Sequence, residues 1–74
     1  MVLYPNPASN LLHISTAGYE ASGYQIYNML GEMVLARQIS GQYFDINLSA
    51  LASGLYIIQL NSINGQVTSR FVKE

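Results

Sequence analysis

The stretch Leu55-Tyr56-Ile57-Ile58-Gln59-Leu60-Asn61-Ser62-Ile63-Asn64-Gly65 decides the fold of this chain of 74 residues. Its first seven residues are the most apolar segment with period-two spacing, so they predict a central strand with Tyr56 and its alternate neighbours facing the core. Asn64-Gly65 is the strongest hairpin signal in the chain and predicts a type I′ turn. The last strand, Gln66–Lys73, is therefore expected to pair antiparallel with the central strand.

Period-two alternation marks most of the remaining chain and predicts about seven short strands. Gly31 fits the positive-φ position of a short hairpin loop, and one helical turn is expected between Ser49 and Gly54. We therefore expect a single all-β domain over residues 1–74, a small immunoglobulin-like antiparallel β-sandwich. The expected strands are Val2–Tyr4, Asn10–Ser15, Gly23–Asn28, Glu32–Ile39, Tyr43–Leu48, Leu55–Asn61 and Gln66–Lys73.

Composition excludes several classes of function. Half of the residues are hydrophobic, which is typical of a packed core, and three basic residues face four acidic ones, for a net charge of −1. A chain without a basic stripe lacks the electrostatic basis for binding nucleic acid. The absence of cysteine excludes disulfides and thiolate metal sites. The apolar runs are too short for a transmembrane segment.

The titratable residues form no pattern typical of catalysis. His13 lies on an alternating strand and is expected to face solvent, where a lone histidine is a poor metal ligand. Glu20, Glu32 and Asp45 fall in different loops or strands, so no catalytic carboxylate pair is expected. Phosphate-binding glycine motifs are absent. These observations predict a domain that is not an enzyme and has no metal or cofactor.

The six tyrosines leave a second class of function open. Tyr19, Tyr24, Tyr27 and Tyr43 would form a platform for stacking carbohydrate if several of them lined one face. Aromatic residues in strands are more often cross-strand packing pairs, however. A carbohydrate- or protein-binding module of a surface protein is therefore the alternative hypothesis, and a structural spacer domain is a third.

Short motifs occur in a fixed order from Leu3 to Lys73. They are Tyr4-Pro5-Asn6-Pro7, Leu12-His13-Ile14, Ile26-Tyr27-Asn28 with Gly31, the spaced set Leu48, Leu51, Gly54 and Tyr56, and Arg70-Phe71-Val72-Lys73. In this order the motifs resemble the C-terminal sorting domains of type IX secretion cargo proteins in Bacteroidetes, the type A or Por secretion system C-terminal domain family. The chain departs mildly from that pattern at Glu74, which follows the lysine, and at Arg70, where lysine is common.

The resemblance implies that the domain is the C-terminal secretion signal of a larger cargo protein. Cargo of this family reaches the periplasm by the general secretory route and is then recognised by an outer-membrane translocon. A sortase-like peptidase then cuts upstream of Tyr4 in many members and anchors the cargo to a lipopolysaccharide. The implied partners are this translocon, the peptidase and the upstream cargo domain. The implied location is the periplasm in transit, then the cell surface or medium of a Gram-negative bacterium.

Four residues of the last hairpin are candidates for recognition by the translocon, because the end segment of the family looks like the signal. They are Asn64, Gly65, Arg70 and Lys73. Backbone geometry alone explains Asn64 and Gly65, whereas the two cations lack a compelling role in the fold. Protection of a strand edge by charge is the competing explanation for them. Unpaired edges and low charge also leave open a homodimer through exposed strand edges.

Overall fold

The computed structural model describes residues 1–74 and contains seven strands in two sheets. One sheet has the order β1-β2-β5, the other has the order β4-β3-β6-β7, and every pairing of strands is antiparallel. The predicted small β-sandwich is confirmed. None of its elements is a helix of the length and apolarity needed to cross a membrane. The strands are β1 (Val2–Tyr4), β2 (Leu11–Ser15), β3 (Ala21–Asn28), β4 (Met33–Gly41), β5 (Tyr43–Asn47), β6 (Gly54–Ser62) and β7 (Gly65–Lys73).

The core lies between the two sheets and is built from alternate side chains of each strand. Because successive side chains of a strand point to opposite faces, period-two apolar residues collect on one side. Tyr56, Ile58 and Leu60 of β6 are buried, as predicted. Phe71 of β7 is fully buried, and its ring stacks on that of Tyr56 with centroids 5.7 Å apart. The last hairpin therefore contributes directly to the core.

The β3–β4 hairpin is organised by the side chain of Asn28. Its Oδ1 accepts hydrogen bonds from the N–H groups of Leu30 and Glu32, each at 3.0 Å. The Gly31 N–H donates to the Asn28 carbonyl oxygen at 3.0 Å. Gly31 has a φ of 84°. Because glycine has no Cβ, it adopts this left-handed conformation at little energetic cost. The predicted role of Gly31 is confirmed.

The β6–β7 hairpin is confirmed, but its predicted turn type is wrong. Ser62 pairs with Gly65, so Ile63 and Asn64 are the two central residues of the turn. A type I′ turn requires positive φ at both central residues, whereas the positive φ in this hairpin belongs to Gly65, at 128°. The turn lies one residue earlier than predicted because the left-handed conformation is taken by the glycine after it.

A tight turn without a helix connects β5 to β6. The Ser49 N–H donates to Asn47 Oδ1 at 2.9 Å, and the Leu51 N–H donates to the Leu48 carbonyl oxygen at 2.9 Å. The predicted helical turn is therefore wrong, and Gly54 is the first residue of β6 rather than a helix cap. The asparagine side chain binds the backbone locally and favours a turn, while nucleating a helix for a few residues is costly.

Candidate functional site

The four predicted recognition residues lie on one hairpin, but the structure does not bring them together. Asn64 and Gly65 lie at the turn, whereas Lys73 ends β7. At a rise of about 3.3 Å per residue, the strand from Gly65 to Lys73 separates these ends by about 26 Å. The turn and the end of the strand therefore form two separate surfaces.

Arg70 and Lys73 lie on opposite faces of the larger sheet. Since Phe71 points into the core, alternation places the Lys73 side chain on the inner face and the Arg70 side chain on the outer face. Arg70 is exposed and Lys73 is half-buried. Neither cation has a carboxylate within salt-bridge distance; the one contact at that distance joins the His13 imidazole to Asp45. A flat partner laid on the outer face would contact Arg70 but not Lys73.

The segment Asn6–Ala8 holds the C-terminal end of β7, and we name it the clasp. The Ala8 N–H donates to the Val72 carbonyl oxygen at 2.8 Å, and the Glu74 N–H donates to the Ala8 carbonyl oxygen at 2.7 Å. The Val72 N–H donates to Asn6 Oδ1 at 3.0 Å. Ala8 is itself fully buried. The Tyr4-Pro5-Asn6-Pro7 motif thus supplies a side chain that binds the far end of the chain.

Asn6→Ala should destabilise the domain by about 1 kcal/mol, because the Val72 N–H loses its acceptor. Asn6→Asp is the matched control, since it retains an oxygen at the same position and should stay close to the wild type. The measurement is the free energy of unfolding in urea at neutral pH. An alanine variant as stable as the wild type would contradict a stabilising clasp.

The spaced motif Leu48, Leu51, Gly54 and Tyr56 builds the turn before β6. Leu48 is fully buried, and the half-buried Leu51 packs against the core. The Tyr56 ring is 7% exposed, and its hydroxyl donates to the Ala52 carbonyl oxygen at 2.6 Å. The buried ring confirms the prediction that Tyr56 faces the core, and the hydrogen bond satisfies its hydroxyl there. Each side chain of the motif therefore has a structural contact.

A polar row on the outer face of the smaller sheet brings together three residues that are distant in the sequence, Tyr4, His13 and Asp45. His13 and Asp45 are cross-strand neighbours, with Nδ1 and Oδ1 2.5 Å apart. The Tyr4 ring lies beside the imidazole, with centroids 5.2 Å apart. No three metal-ligating side chains cluster in the structure. The one sequence signal for this pair is that both residues occupy outward positions of their strands.

The four tyrosines considered for a carbohydrate platform do not line one face. Tyr24 is buried and stacks on Phe44, with ring centroids 5.7 Å apart. Tyr43 is 78% exposed on the outer face of the smaller sheet, whereas Tyr27 is half-buried on the larger one. Tyr19 lies in the β2–β3 loop and packs against the core. The pairing of the strands thus distributes these rings over separate surfaces.

A cleft of about 280 Å³ lies where β4 faces β5 and is lined by Tyr24, Arg37 and Asp45 among others. Burial raises the pKa of the Tyr24 hydroxyl, and the positive charge of Arg37 opposes this shift. The phenol is therefore neutral at physiological pH. Arg37 pairs across the ladder with Tyr24, so it is a charge on the inner face of an edge strand. Inward-pointing charges of this kind discourage the addition of another strand.

Comparison with known proteins identifies the family of the chain. A family model described as a secretion system C-terminal sorting domain matches residues 2–74. The chain is also similar to Beta-agarase D of Zobellia galactanivorans, with 29% identity over 68 residues. That match covers 92% of this chain but 13% of the length of the relative. Because the family model covers nearly the whole chain, this protein belongs to the secretion system C-terminal sorting domains, a family of type IX export signals rather than of catalysts.

Proposed function

We propose that this domain is the signal by which a type IX outer-membrane translocon recognises and exports a cargo domain linked upstream of it. The match of the family model over residues 2–74 carries this proposal. The match covers 13% of the length of the similar agarase, and this supports a domain that is attached to a much larger protein. The cargo crosses the periplasm in transit and ends at the cell surface or in the medium.

In this proposal, a sortase-like peptidase cuts the chain upstream of Tyr4 and joins the released cargo to an anionic lipopolysaccharide. The position of the clasp is compatible with such a cut. Asn6 and Ala8, which bind the end of β7, both follow Tyr4 and remain with the domain after cleavage. The sandwich therefore keeps these hydrogen bonds whether or not the cargo is still attached.

The export role is tested with a fluorescent reporter directed to the periplasm and fused to the N-terminus of this chain through a short linker. The fusion is expressed in a Bacteroidetes host and in the same host lacking the type IX translocon. Reporter at the surface or in the medium of the intact host alone is the expected result. Reporter retained in the periplasm of both hosts, with the domain folded, would refute the proposed function.

The double variant Arg70→Ala with Lys73→Ala is expected to reduce export of this reporter while the domain stays folded. Neither side chain has a carboxylate partner. Changes at exposed positions such as Arg70 usually alter stability by less than about 0.5 kcal/mol, and urea unfolding of the variant checks the effect at the half-buried Lys73. The two single variants separate the faces of the sheet, because Arg70 lies on the outer face and Lys73 on the inner face. Normal export of the double variant would show that neither cation is part of the recognition surface.

A further inference from the structure

The four edges of the two sheets are not equally protected against the addition of another strand. Edge strands expose unpaired backbone groups, and short length, irregular pairing and inward charges make them poor templates. β1 has three residues and β5 has five. β4 is long, but its pairing with β3 contains two register shifts and Arg37 lies on its inner face. β1 and β4 therefore carry a recognisable protection, and β5 is shorter than β7.

The edge of β7 has no inward charge from Gln66 to Arg70, because its inward-pointing cation, Lys73, lies at the C-terminal end of the strand. It contains nine residues without proline and pairs with β6 in a continuous register without shifts. The clasp covers its C-terminal end at Val72 and Glu74. The outer side from Gln66 to Arg70 has no partner strand, and we name this segment the free edge.

The hydrogen bonds of the clasp show which backbone groups of the free edge point outward. Both the N–H and the C=O of Val72 face the clasp, away from β6. In an antiparallel ladder the same orientation recurs at every second residue. Gln66, Thr68 and Arg70 therefore present their N–H and C=O groups outward. Their side chains share the outer face of the sheet, where Arg70 is a cation without an ion pair.

We propose that the free edge of β7 is the docking site at which one extended strand of the translocon adds to the larger sheet. This inference rests on the proposed function. Main-chain hydrogen bonds to Gln66, Thr68 and Arg70 would provide the affinity, as in other cases of strand addition. A carboxylate side chain of the incoming strand, placed beside the unpaired Arg70, would provide selectivity by complementary charge.

The clasp defines the length and the end of this docking site. Asn6 and Ala8 already occupy the position that an incoming strand would take beside Val72. The incoming strand can therefore extend over the five residues Gln66–Arg70, about 17 Å of strand. In this arrangement Lys73 lies outside the docking site and Asn64 lies beyond its other end.

The variant Thr68→Pro tests this proposal in the reporter fusion. Proline removes the outward N–H, and it is tolerated on an edge strand where that N–H faces solvent. Thr68→Val is the matched control, because it keeps the N–H and the β-branched shape. We expect export to fall about tenfold or more in the proline variant and to stay at the wild-type level in the valine variant. Urea unfolding of both purified domains establishes that they are folded.

A second measurement uses the wild-type domain and does not depend on the folding of a variant. Amide hydrogen exchange is followed with and without the detergent-solubilised translocon. Added protection at Thr68 and Arg70, with none along β4, is the expected result. Normal export of a folded Thr68→Pro domain, or unchanged exchange at both amides, would overturn the docking site. The wild-type reporter would still be exported in that case, which separates this failure from failure of the proposed function.

The same variants also test whether the domain associates with itself through the free edge. Sedimentation equilibrium of the wild-type, proline and valine proteins reports whether the free edge pairs with a second copy. A dimer that is lost in Thr68→Pro but kept in Thr68→Val would assign the edge to homodimerisation and overturn the translocon as its occupant. We expect all three proteins to sediment as monomers.

Discussion

Phe71→Ala is expected to remove a large part of the stability of the domain, because this ring is fully buried between the sheets and stacks on Tyr56. Truncating a buried phenylalanine costs about 3–5 kcal/mol. A domain of this size has a total stability of about 4–11 kcal/mol. The measurement is urea unfolding followed by circular dichroism. A cooperative transition with a loss below about 1 kcal/mol would contradict the central packing of Phe71.

Val72→Ala is the matched control for this variant. Val72 is the next residue of β7, but its side chain is 38% exposed and its backbone bonds to the clasp do not involve that side chain. We expect a loss below about 1 kcal/mol.

Comparing export of the two variants separates two modes of recognition. If Phe71→Ala is unfolded and still exported normally, the translocon reads the end of the chain as a linear segment rather than as a folded hairpin.

Gly23→Val is expected to destabilise the domain by about 1–3 kcal/mol through overpacking near the start of β3. A Cβ at this position would lie 3.0 Å from the carbonyl oxygen of Arg37 on the paired strand β4. A backbone oxygen cannot rotate away as a flexible side chain can, so β4 must shift. The denaturation midpoint in urea measures the effect. A midpoint at or above that of the wild type would show that β4 shifts without a loss of stability.

The matched control for the glycine variant is Ala36→Val, which enlarges an exposed side chain on the neighbouring strand β4. Valine has a high β-propensity, so this change should leave the midpoint unchanged or raise it slightly. A similar loss in both variants would indicate a general sensitivity of β4 to larger side chains. A loss confined to Gly23→Val would support the close approach of the two backbones.

Much of the fold was predictable because it depends on local patterns. The inward faces of β2, β5 and β6 follow from period two alone, since a strand has two faces and apolar residues collect on one. Gly31 was predictable because its loop needs positive φ. The turn at Asn64 was displaced by one residue, because several glycine-containing turns join two strands and the local sequence does not choose between them. The assignment of recognition residues to the last hairpin came from family resemblance, and it remains a prediction.

By itself, the sequence determined the class of the fold, the inward residues of its strands and the hairpin that ends the chain. The tertiary structure alone decided which distant residues meet. Asn6 binds Val72 across 66 residues of chain, and His13 meets Asp45 across 32. Periodicity orients each side chain relative to its own strand, whereas the order of strands and the packing of the sheets decide its partners. The same packing covers one end of β7 and leaves the free edge open, because the edges of a sheet exist only once all its strands are placed.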